Sequence, residues 1–132
     1  MDKMNYVPVK GTFRPLNFSI EVMFDAAEKY GGMAGAFDII DKENREGADA
    51  IRWFIMRMAN DAELVRRGEG YDKGDMLTED DIQITNPALY RIYKQAVLKA
   101  IEIGYTREVE DPEEEIDLGL QELNKKKEAP SE

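Results

Sequence analysis

The chain has 132 residues, the size of one domain, and its 42% hydrophobic content is enough for a core. It contains no cysteine and no histidine, which excludes disulfides, thiolate nucleophiles, histidine-based triads and Cys- or His-ligated metal centres. With 28 acids against 18 bases the net charge is −10, which argues against nucleic acid and anionic membrane as partners.

Acid–base chemistry by carboxylates, lysine or tyrosine would need burial to shift a pKa. No acid pair in the sequence marks such a pocket, so the expectation is a non-enzyme with no cofactor and no catalytic or metal site. The N-terminus (MDKMNYVPVK) lacks an apolar leader and no apolar run reaches membrane-spanning length, so the expected location is the cytoplasm.

Residues 1–16 read as irregular or extended, because Pro8, Gly11 and Pro15 would interrupt a helix while Tyr6, Val7, Val9, Thr12 and Phe13 suit short strands. Asn17 or Ser19 can cap a first helix, SIEVMFDAAEKYGG, whose inward stripe is Ile20, Met23, Ala27 and Tyr30 with Phe24 alongside. Gly31 and Gly32 stop it. A second helix, AGAFDIIDKEN, should turn Phe37, Ile40 and Ala36 inward.

The strongest helical signal runs from about Gly47 to Arg67. Ile51, Phe54, Ile55, Met58, Ala62 and Val65 form one stripe, with Asp49, Arg52, Asn60, Glu63 and Arg67 largely off it. A glycine-rich charged loop, GEGYDKGD, follows, and then Thr78 opens TEDD, an approximate capping box leading to a short helical turn with Ile82 and Ile84. Asn86 and Pro87 form an N-cap and first-turn proline for the last helix, which Gly104 should end. That helix is apolar on two stripes: Leu89, Tyr93, Ala96, Ala100 and Ile103 on one, Tyr90, Val97 and Ile101 on the other.

Seven of the ten residues 108–117 are acidic, and a Lys-rich, Pro/Ser end follows, which reads as a mobile tail. The acids could in principle hold cations, mimic nucleic acid or dock a basic partner, but such runs are usually solvated. Asp72, Asp75, Glu79, Asp80 and Asp81 form a second acidic group whose spacing fails the calcium-loop pattern. The expected architecture is mainly α. It is a small bundle of four to five helices over residues 17–104, with an extended segment at 1–16 and a mobile acidic tail at 105–132.

Trp53 lies off the main stripe of the central helix, and Met56 falls on the same second face one turn later. Aromatics at helical spacing are more often core than binding surface, yet Trp and Met are also the types that anchor adaptable interfaces.

The order of these pieces carries a resemblance. PLNFSIEVMFDAAEKYGG, a long amphipathic helix, an acidic loop with LTEDDI, a last helix ending QAVLKAIEIGY and an acidic Lys-ended tail resemble the phage tail assembly chaperones of long-tailed phages and prophages of Gram-positive bacteria. The resemblance covers about residues 13–125, and no single motif in it is specific. It implies a homo-oligomer acting in the host cytoplasm, absent from the mature virion, that binds the tape measure protein, with the tail tube protein as a second partner. The family often makes a longer product by ribosomal frameshifting, for which Lys125, Lys126 and Lys127 are a candidate site, though a plain solubilising lysine run reads the same.

The partner-binding residues expected on this reading are Trp53 and Met56, with Tyr90, Val97 and Ile101 on the last helix. The alternative is an acidic regulatory or inhibitory protein-binding module, such as a nucleic-acid mimic.

Overall fold

A computed structural model describes residues 5–106. The expected acidic tail and its lysine run lie outside the described residues, apart from Tyr105 and Thr106. Two strands, β1 (Asn5–Val9) and β2 (Thr12–Leu16), precede four helices: α1 (Ile20–Tyr30), α2 (Met33–Asp41), α3 (Arg45–Gly68) and α4 (Pro87–Thr106). A single 3-10 turn, Glu79–Asp81, sits between the last two.

The N-terminal segment is a paired hairpin rather than a merely extended stretch. Its register is Asn5↔Leu16 through Val9↔Thr12, closed by Lys10 and Gly11, both at positive φ (55° and 78°). That geometry matches the twist of the strands. Counting back from the turn, Pro8 and Pro15 fall on the non-hydrogen-bonded pairs, where a missing N–H costs the ladder nothing. Val7, Val9 and Leu16 point into the same core as the helices. The hairpin is tied to α4 by the Tyr93 hydroxyl donating to the Pro8 carbonyl (2.8 Å) and by Asn5 Nδ2 donating to the Ala96 carbonyl (2.8 Å).

Ser19 is the N-cap of α1, accepting from the Val22 N–H, and Gly31 closes the helix at φ 74°. Asn17, the other candidate cap, instead donates to Asp61 on α3 (2.7 Å). Helix α2 ends at Asp41, three residues short of the expected end. Glu43 turns left-handed (φ 53°), and Asn44 caps α3 by accepting from the Gly47 N–H (2.9 Å).

Helix α3 is the centre of the molecule, flanked by α1, α2, α4, β2 and the 3-10 turn. Five of its six stripe residues are buried, and Val65, near its C-terminal end, is exposed. Thr78 and Asp81 form the expected capping box, but only the 3-10 turn follows; Ile82 is buried and Ile84 half-buried beyond it. Asn86 caps α4 by accepting from the Leu89 N–H (2.8 Å).

Gly104 does not stop α4, which runs on to Thr106. A Cβ there would lie 2.6 Å from the Phe18 carbonyl oxygen, so this glycine serves close approach rather than termination.

Candidate interaction surface

Helix α1 carries apolar side chains on two opposed faces. Val22 and Ala26 are fully buried, while Ile20 (56% exposed) and Phe24 (51%) lie on the other side. At 100° per residue, the two pairs point about 160° apart. This corrects the expected inward stripe, of which Met23, Ala27 and Tyr30 are half-buried and Ile20 and Phe24 face out.

Polar contacts on the flank fix that rotation. Asp25 pairs with Arg57 of α3 (2.8 and 2.9 Å), and Ser19 donates to Asp61 (3.1 Å). Rotating α1 to bury Ile20 would break both.

The expected partner-binding residues do not form one exposed face. Trp53 is only 9% exposed, packed edge-on to Tyr30 and Phe54 at ring-centre distances of 5.7 and 5.0 Å. Met56 and Tyr90 are half-buried against the core. Val97 (0% exposed) and Ile101 (2%) are core residues, since α4 buries the face lying between its two apolar stripes. Ile92, not singled out in the sequence, is exposed on α4, as is Tyr105 near its C-terminal end. Ile92 lines a groove with Tyr6, Gln95, Ala96, Lys99 and Glu102 between α4 and the hairpin.

Glu63 is the buried charged residue among those described, at 5% exposure. One oxygen accepts from Arg66 Nε and the other from Arg67 Nε, each at 3.0 Å, and the Gly74 N–H donates to it as well. The Gly74 N–H is the largest cause of its lowered pKa, about 2 against a usual 4.5, with the two arginines adding to it.

The same two arginines reach over to the loop: Arg66 donates to the Asp72 carbonyl (2.6 Å) and Arg67 to the Gly74 carbonyl (2.9 Å). One turn earlier, Asn60 both accepts from the Leu77 N–H and donates to its carbonyl, like a partner strand. The loop between α3 and the 3-10 turn is therefore tied down by α3. Its polar off-stripe positions, Asn60, Glu63 and Arg67, gave no sign of this, because solvated and loop-binding residues share one pattern.

Among the described residues no group of His, Cys, Asp or Glu is arranged to hold a metal ion. Nor is any helix among them long and apolar enough to cross a membrane. No known protein family, curated protein or solved structure matches the chain.

Proposed function

We propose that the protein is a non-catalytic tail assembly chaperone of a phage or prophage, binding the tape measure protein, with the tail tube protein as a second partner. The observation that carries this reading is the outward Ile20/Phe24 pair on α1, two large apolar side chains one turn apart on a helix that already fills its core side. A pair at this spacing suits the apolar stripe of a helical client. The acidic balance of the chain would keep such a complex dissolved. The only buried carboxylate among the described residues, Glu63, stays ionised and fully bonded, a state suited to structure rather than proton transfer.

The client-binding face moves accordingly from Trp53, Val97 and Ile101 to Ile20 and Phe24. The test is co-expression with the tape measure protein and capture of the complex. Ile20→Ser with Phe24→Ser should reduce capture at least tenfold while leaving helicity unchanged. Undiminished capture by the folded double variant would refute the reading. Capture that disappears in high salt yet ignores the double variant would favour the acidic regulatory module instead.

A further inference from the structure

Although the chain is acidic, its basic side chains are not evenly neutralised. Among the described residues Lys10, Lys42, Arg52, Arg57, Arg66, Arg67, Lys94 and Lys99 all pair with carboxylates. Arg14 donates to the Asp75 carbonyl, and Lys29 lies over the rings of Tyr30 and Trp53. Arg45, Lys73 and Arg91 are left without an ion pair, side-chain hydrogen bond or ring contact among these residues.

Two of those three, Arg45 and Arg91, line the same groove of about 490 Å³, together with Arg52. Its walls include the starts of two helices, Asn44 and Arg45 of α3 and Asn86 and Pro87 of α4, so two helix dipoles add positive potential there. The one carboxylate on its rim, Glu43, is taken up by Lys94 (3.1 Å).

We propose that the acidic segment 113–117 of the same chain docks in this groove, with its carboxylates on Arg45 and Arg91. Charge complementarity is direct: that segment reads EEEID, four acids in five residues, against a groove with unpaired arginines. The reach also matches. Along α4, Thr106 lies about 22 Å beyond Arg91 at 1.5 Å per residue. Residues 113–117 stand seven to eleven residues past Thr106, a maximum reach of about 23 to 36 Å, so the chain is long enough to bring these acids back to the groove. Exposed ion pairs are weak singly, but several carboxylates on one tethered segment make each further contact an intramolecular one. The inference is independent of what the Ile20/Phe24 face binds.

The chain has no cysteine, so Leu118→Cys gives a single site for a nitroxide label beside the segment. In the full-length protein, the label should cut the amide signals of Arg45, Ala48, Asn86 and Arg91 by half or more. Reversing the groove charge with Arg45→Glu and Arg91→Glu, or neutralising the segment with Gln at 113, 114 and 115, should restore them. So should about 1 M salt, where the Debye length is about 3 Å. Lys73→Glu, the control for net charge, should change nothing. Circular dichroism checks that each variant is folded. Absence of broadening, broadening spread evenly over the surface, or broadening indifferent to the arginine reversals would overturn the proposal. So would broadening that appears only when labelled protein is mixed with a separate isotope-labelled copy, which would place a neighbour's tail in the groove.

Discussion

Glu63 and Gly74, eleven residues apart, are joined by a hydrogen bond from the Gly74 N–H to the buried Glu63 carboxylate, and this bond fastens the loop to α3. With Arg66 and Arg67 it holds the carboxyl at about 2 instead of 4.5. A group whose pKa is lowered on folding contributes stability above its unfolded value and loses it as pH falls toward the folded one. Thermal melts should therefore show stability declining as pH drops from 4.5 toward 2, with the loop loosening first. Glu63→Gln should cost about 1–3 kcal/mol near neutral pH, by loss of the charge-assisted bonds, and flatten that pH dependence. An equally steep decline in the variant would assign the effect to other carboxylates.

Tyr90 and Tyr93 are three residues apart on α4, and removing their hydroxyls should have opposite effects. The Tyr90 hydroxyl is buried without a hydrogen-bond partner, close to where a Cβ on Gly47 would stand. Tyr90→Phe should therefore be neutral or stabilising, by up to about 1 kcal/mol. The Tyr93 hydroxyl donates to the Pro8 carbonyl, so Tyr93→Phe should destabilise by about 1 kcal/mol. Urea unfolding of the two variants decides; equal losses in both would contradict the assignment.

Glycine-to-alanine changes in α3 and α4 should also split. In open helical positions alanine is favoured by up to about 1 kcal/mol, and at Gly68 an added Cβ would meet nothing within 4 Å. Gly104 faces the Phe18 backbone, and Gly47 faces the Tyr90 hydroxyl and the Ile39 carbonyl at 2.5 and 2.9 Å. Alanine at either of these should cost about 1–3 kcal/mol, measured by thermal denaturation.

Trp53→Ala should cost about 3–5 kcal/mol, because the ring packs against Tyr30 and Phe54. Any loss of client capture by that variant would then follow from unfolding. Ile20→Ser and Phe24→Ser should change stability by less than about 0.5 kcal/mol, since both side chains are more than half exposed. Circular dichroism melts of the three variants separate these cases.

The positions of the helices were legible in the sequence because their signals are local. The Ser19 and Asn86 caps, the stop at Gly31 and the Thr78–Asp81 capping box each act within one turn of chain, and the structure has them all. Strand-forming residues at 1–16 were equally visible, but pairing them needed the Lys10–Gly11 turn and a register that keeps both prolines off the ladder.

Which face of each helix points inward was decided only by the tertiary structure. Helix α1 offers two apolar faces, and the contacts of Asp25 with Arg57 and Ser19 with Asp61 select Val22 and Ala26 for the core, leaving Ile20 and Phe24 outside. Helix α4 merges its two apolar stripes into one buried face, which removes Val97 and Ile101 from the surface. Helix α3 is surrounded, so Trp53 is covered by Tyr30 of α1 and Glu63 by the folded-back loop that carries Gly74. Composition and helical spacing thus determined a small, acidic, helical protein, because caps and periodicity depend on near neighbours. Its outward surface depended on contacts between residues some thirty to ninety positions apart, which local pattern does not encode.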